Sequence, residues 1–230
     1  VKIIDIRKRS DSELIKETEK LGIKIYWNST ITNTFGYRKI NSIEIMGLSE
    51  DGSNVVGKKN KIFCDCLGIS GGWTPMVHMH TQSGGKLNFR EIDQVFLPKE
   101  FSDNRISVGS CNGHFELDEI VNSTNNLVKK FLNIQKTDLD DVNISCSKEL
   151  EKRNIWLLPN YISLGKNKSF IDFQNDSTAK DIKLAMREGF KSIEHVKRYT
   201  TTGMATDQGK LSNMHALGII AETAGVKMGS

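Results

Sequence analysis

The sequence predicts an α/β chain: a strand–helix–strand opening, an antiparallel three-stranded insert and, after a polar linker, a small helical domain. Three observations carry this. Apolar runs over Val1–Ile6 and Leu21–Trp27 flank a helix-like stretch ending near Lys20, the cadence of a parallel sheet of the nucleotide-binding kind. Three short alternating segments follow, at about residues 30–35, 40–47 and 54–66. Past residue 169 the apolar period lengthens to that of helices.

Each element has a local reason. Ser10 is a plausible N-cap for the first helix, and Gly22 a stop for it. Glu50–Ser53 supplies a hairpin turn between the last two insert strands. Leu67–Ile69 then leads into Ser70–Pro75, a glycine-rich turn at the carboxyl end of a strand, where α/β sheets present backbone N–H groups to ligands. Strands are expected at about residues 86–89 and 94–97 and at Arg105–Val108, the last running into a second glycine turn, Gly109–Gly113. A helix from about His114 to Leu132 is expected from the spacing of Phe115, Leu117, Ile120, Leu127, Val128 and Phe131. Residues 133–168 read as linker, rich in Asn, Asp, Ser and Lys. Thr178–Asp181 reads as a capping-box start for a helix lined by Ile182, Ala185 and Met186 up to Gly189. Further helices are expected at Ser192–Arg198 and about 212–224, joined by a Thr200–Lys210 loop.

Composition removes several classes. No apolar run approaches the roughly 20 residues that cross a bilayer. Lys and Arg number 32 against 28 Asp and Glu, interspersed, an imbalance too small for a nucleic-acid surface. The locally basic Arg7–Arg9 and Lys58–Lys61 read as solvated turn tips. Cys64, Cys66, Cys111 and Cys146 lack the second pair that a zinc set needs, and read as reduced structural thiols of a cytoplasmic protein. His78 and His80 would share a strand face, without carboxylate or thiolate partners; His114, His195 and His215 are scattered, so no metal site is expected. Asp172, Asp176 and Asp181 do not form a calcium loop.

Three places could still carry a ligand. No G-x-G-x-x-G or P-loop is present, and the glycines concentrate instead at Gly71/Gly72 and Gly109/Gly113. Each turn reads either as close backbone approach to a cofactor or as a tight strand–helix connection, with Gly109–Ser110 opening towards a helix N-terminus. The stretch His195–Lys210 holds two adjacent cations, three consecutive threonine hydroxyls and two glycines. It suits a phosphate-bearing ligand or a subunit contact, or equally a polar connection between helices. No acid–base pair or Ser-His-Asp order is legible, and no catalytic residue is assigned.

The motifs Phe170–Asp176, Thr178–Ile182, Glu188–Thr201 and Gly203–Lys210 closely resemble the alpha subunit of heterotetrameric sarcosine oxidase. Ile69–Pro75 with His78 and Gln82–Leu87 resembles the same subunit, in the same order. The resemblance implies a partial FAD/NAD(P)-binding domain of the pyridine-nucleotide-disulfide reductase type with an antiparallel β insert, spanning 1–135. It further implies a linker over 136–168 and a small helical domain over 169–230, leading towards a folate-binding domain beyond this chain. In that family the alpha subunit binds NAD, and an FMN lies at the interface with the beta subunit. FAD and tetrahydrofolate are bound elsewhere in a complex with beta, gamma and delta subunits. The complex demethylates sarcosine, acting on a CH–NH donor, to glycine with peroxide and formaldehyde or methylene-tetrahydrofolate.

Carried over by position, the resemblance implies NAD contacts at Gly109, Ser110, Phe115 and Leu117, the last standing where relatives hold a hydroxyl residue. It offers His195, Lys197, Arg198, Thr200 and Gln208 for the FMN interface. Asp207 and its neighbours replace the thiols of related cluster-binding modules, so no iron–sulfur cluster is expected. The opening within a strand pattern at Val1 is read as an internal piece of a longer subunit, inactive alone. The alternatives are a subunit of a related heteromeric amine, proline or opine dehydrogenase, or a scaffold that has lost its nucleotide.

Overall fold

The computed structural model describes residues 1–99, 105–133, 152–159 and 168–229. The chain opens with the expected strand–helix–strand unit. β1 (Lys2–Ile4) pairs in parallel with β2 (Lys24–Tyr26), and α1 (Glu13–Lys20) makes the crossover. The cap is Ser12 rather than the expected Ser10. Its hydroxyl accepts from the Ile15 amide at 3.4 Å, the reach a cap requires three residues upstream, and Ser10 stands two residues too early.

The insert is a three-stranded antiparallel sheet, β3 (Ser29–Gly36), β4 (Ile40–Leu48) and β5 (Val55–Phe63), in that spatial order. Its inner face buries Ile43, Ile45 and Ile62, and Ile4 and Tyr26 of the parallel pair pack against them. The two small sheets therefore share one apolar contact. β5 is exposed along most of its length and carries Lys58, Lys59 and Lys61, charges that discourage strand addition at an open edge. The β4–β5 turn is tied by Asp51, whose carboxylate accepts from the hydroxyls of Ser49 and Ser53.

After an irregular stretch comes α2 (His78–Gln82), a helix in place of the strand face expected for His78 and His80; two residues apart on a helix they do not share a face. The hairpin of β6 (Leu87–Arg90) with β7 (Val95–Pro98) is close to expectation. Arg105–Val108 is not a strand. Only Arg105 makes a bridge, and extended backbone without a paired neighbour builds no ladder. A short 3-10 turn over Gly109–Asn112 precedes α3 (Leu117–Phe131), which starts three residues later than expected. The delay has a backbone cause: Gly113 is left-handed at φ +79° and Glu116 is extended.

The last unit opens with a hairpin the sequence reading did not separate, β8 (Phe170–Asp172) with β9 (Ser177–Thr178). α4 (Ala179–Arg187) follows directly, with the expected capping box complete: Thr178 Oγ1 accepts from the Asp181 amide and Asp181 accepts from the Thr178 amide. With α5 (Ile193–Thr200) and α6 (Asn213–Ala224) it encloses a core of Ile171, Ala179, Ile182, Ala185, Val196, Ala216, Ile219 and Ile220. No helix among the described residues is long and apolar enough to cross a membrane. Cys64, Cys66 and Cys111 are free thiols, and Cys146 lies outside the described residues.

Most of the expected linker lies outside the described residues, but Lys152–Pro159 does not, and it is packed. Arg153 Nη1 donates to the Ile6 carbonyl at 3.0 Å and to Asn28 Oδ1, and Nη2 donates to the carbonyls of Ser49 and, at 3.0 Å, Glu50. One guanidinium thus joins the end of β1, the β2–β3 turn and the β4–β5 turn. Trp156 and Leu157 pack on the core of the helical unit. Arg153→Ala should lower unfolding free energy by about 2–4 kcal/mol, since several carbonyls lose a charged donor at once. Arg153→Lys should recover little of it, because a point charge cannot span three loops. Denaturant titration decides; a loss under about 0.5 kcal/mol for Arg153→Ala, the size of an ordinary surface change, would remove the guanidinium from this role.

Candidate functional site

The two glycine turns have different fates. Gly71 and Gly72 stand in open space, and Trp73 beside them is 83% exposed. The Gly109–Leu117 turn is built. Gly109 is buried at φ +72°, a conformation L side chains rarely adopt, while a Cβ there would meet only Ile120 at an ordinary 3.5 Å. The glycine serves the backbone angle. At Gly113 both demands meet: φ is +79°, and a Cβ would strike Leu97 at 2.6 Å and Arg90 Nη2 at 2.8 Å. Ser110 and Leu117 are exposed and Phe115 is half-buried.

Behind this turn lies a charge cluster that sequence reasoning missed. Arg90 Nη2 donates to the Gly113 carbonyl at 3.0 Å, and its Nε donates to Asp93 at 2.8 Å. Lys152 stands 3.7 Å from the same buried carboxylate and 5.4 Å from the Phe115 ring centroid. Burial works to raise the carboxyl of Asp93, but the hydrogen bond and charge of Arg90, with the charge of Lys152, outweigh it and hold the group below its usual range. On α3, Asp118 and Asn122 each bury an oxygen that has no donor among the described residues.

The second place is the loop between α5 and α6. His195 and Arg198 are exposed one turn apart on α5, Lys197 is half-buried beside them, and Tyr199 stacks on Phe190 at 4.8 Å. Thr200 is buried and its hydroxyl is engaged, donating to the Val196 carbonyl at 2.8 Å and bonded to Thr202. Gln208 is exposed, and its amide donates to the Ala205 carbonyl at 2.9 Å. The structure therefore presents His195, Arg198 and Gln208 outward and spends Thr200 on the loop itself.

That loop is clamped from the β8–β9 hairpin. The buried Asp172 carboxylate accepts from the amides of Gly203 at 2.7 Å, Gln174 at 3.0 Å and Asn175 at 3.0 Å, and from the Asn175 side chain at 3.2 Å. Gln174 Oε1 takes both the amide and the hydroxyl of Thr206. Gly203 and Gly209, both left-handed, close on Asn213, where a Cβ at either would meet Oδ1 within 2.2 Å. Most polar groups of the stretch read as a possible phosphate site are consumed in holding its shape. Burial pushes the Asp172 carboxyl up, yet the Gly203 and Asn175 amides, the Asn175 side chain and the Gln174 amide together hold it below the ordinary carboxylate range. Nothing in the spacing of Asp172 and Gly203, thirty-one residues apart, announces this clamp.

The fold resembles that of L-proline dehydrogenase from P. horikoshii, with a TM-score of 0.54, 18% identity, and cover of 99% of this chain and 46% of that one. The architecture is thus a mixed helix-and-sheet fold shared with that enzyme. Residues 166–230 match the sarcosine oxidase A3 domain. The sarcosine oxidase subunit alpha of Rhizobium meliloti (strain 1021) is 33% identical over 210 residues, 86% of this chain and 19% of that protein. That of Corynebacterium sp. (strain U-96) is 27% identical over 234 residues, 99% of this chain and 24% of that protein. The chain is a relative of sarcosine oxidase alpha subunits, as its motifs imply, and it spans about a fifth to a quarter of their length.

Asp172→Asn should cost about 1–3 kcal/mol at pH 7, because an amide nitrogen replaces an acceptor that several donors face. The wild-type carboxyl is depressed on folding, so its contribution is whole above the unfolded value of about 3.9 and is lost as pH falls through the lower folded value. Unfolding curves of the two proteins should therefore converge below about pH 4. A gap that stays constant on acidification would show that the carboxylate charge contributes nothing.

Proposed function

We propose that the chain is the cofactor-binding and assembly portion of a sarcosine oxidase alpha subunit. It would belong to a complex that oxidatively demethylates sarcosine, a CH–NH donor, to glycine with peroxide and formaldehyde or methylene-tetrahydrofolate. The observation that carries this is similarity to such subunits along 86–99% of the chain, ending in the A3 domain. On this reading residues 1–135 form the later part of an NAD-binding domain, 136–168 connect, and 169–230 are the small helical domain ahead of a folate-binding one. The partners are the beta, gamma and delta subunits, in the cytoplasm, and FAD and tetrahydrofolate bind elsewhere in the complex.

NAD would be held by Gly109, Ser110, Phe115 and Leu117, and it would supply a nicotinamide for hydride exchange. Three features suit it. The turn brings backbone close at two left-handed glycines. α3 begins without a side-chain cap, which leaves first-turn amides for an acceptor. Asp118 and Glu119 in that turn disfavour a bare phosphate and favour hydroxyl donors. Leu117 contributes an apolar surface in place of a hydroxyl. For the FMN at the beta-subunit interface, His195, Lys197, Arg198 and Gln208 are the groups presented, and Thr200 shapes the loop behind them.

Calorimetric titration of NAD into the full-length protein tests the reading. Binding is expected, and Gly109→Ala should weaken it roughly 5- to 30-fold, the equivalent of about 1–2 kcal/mol of left-handed strain relieved by distorting the turn. A wild-type protein that gives no heat with NAD would leave the scaffold alternative in its place.

A further inference from the structure

The segment Lys152–Trp156 reaches three parts of the molecule in five residues. At one end Lys152 lies over the Phe115 ring at 5.4 Å and beside Asp93 at 3.7 Å. Asp93 binds Arg90, and Arg90 donates to the Gly113 carbonyl. Two positions of the proposed nucleotide turn, Gly113 and Phe115, thus rest on one charge cluster. At the other end Trp156 packs against α6 at Gly218, where a Cβ would meet the indole Cγ at 2.4 Å, and meets His215 edge-on at 5.5 Å. Between them Arg153 is fixed by four acceptors on three loops, so the segment cannot slide to absorb a shift at either end.

We infer that Lys152 is a positioning residue for Phe115 and that the Lys152–Trp156 segment couples occupancy of the nucleotide turn to the packing of α6. The inference rests on the nucleotide reading proposed above. A ligand that orders Phe115 would order Lys152, and with Arg153 as a fixed pivot the change reaches Trp156 and the Gly218 face of α6. Coupling of this kind is reciprocal, so loosening α6 would also weaken the turn's ligand. Sequence gives no hint of it, because the partners of the segment range from Ile6, 147 residues before Arg153, to Gly218 on α6, well beyond Trp156.

Hydrogen exchange of the full-length protein, with NAD as the probe and calorimetry in parallel, separates the outcomes. NAD should slow exchange in residues 152–159 and 213–224 as well as in 105–133. Lys152→Met should weaken NAD roughly 2- to 5-fold, the worth of an exposed cation over a ring, and abolish the slowing in 213–224. Lys152→Arg, which keeps a cation over the ring, should restore both, and Trp156→Phe should keep part of the slowing that Trp156→Ala loses. If NAD binds but slowing stops within 105–133, or survives Lys152→Met, the coupling is overturned while the nucleotide reading stands. If the wild type gives no heat with NAD, both fall together.

Discussion

Arg153 donates four hydrogen bonds to groups that the chain leaves on three separate loops, and the amino-terminal half takes its arrangement from that. β1 and β2 make only a two-stranded parallel pair, which is short of backbone pairing by itself. Its apolar contact with the β3–β5 sheet runs through a few isoleucines and Tyr26. The guanidinium adds direction to that contact. Its planar fork fixes where the end of β1, the β2–β3 turn and the β4–β5 turn lie relative to one another. Gly52 belongs to the same arrangement, since a Cβ there would sit 2.8 Å from Arg153 Nε.

A second constraint of the same kind acts in the helical unit. Asp172 reaches across from the β8–β9 hairpin to a backbone amide at Gly203, and Gly203 and Gly209 close on Asn213. In both cases a charged side chain is satisfied mainly by backbone groups, with one side-chain amide beside them. Such contacts are specific in geometry, because amides and carbonyls cannot move without moving the chain that bears them. They explain why a glycine-rich, hydroxyl-rich loop that looks adaptable in sequence is a fixed element presenting His195, Arg198 and Gln208 on its outside.

Much of this was legible. The strand–helix–strand unit, the three-stranded insert, the Glu50–Ser53 turn and the Thr178–Asp181 capping box are local events, decided within a few residues by period, turn chemistry and caps. The misses were also physical. Ser10 and Ser12 are both good caps, and only the helix start separates them. Arg105–Val108 has strand composition, but a strand exists only with a partner. Of the residues around Gly109, glycine spacing found the turn itself and missed Arg90, Asp93 and Lys152, which hold it from distant positions.

The sequence by itself determined the order and type of most elements and, through long motifs, the resemblance to sarcosine oxidase alpha subunits. Periodicity and capping act over one or two turns of chain, so they survive in a one-dimensional reading. Tertiary structure alone decided that the polar stretch before Trp156 is a packed strap, that Thr200 is spent internally, and that Gly109–Leu117 rests on a buried charge cluster while Gly71–Gly72 stands open. Those outcomes depend on which carbonyls and carboxylates come within about 3 Å of a donor after folding. No spacing along the chain encodes that distance.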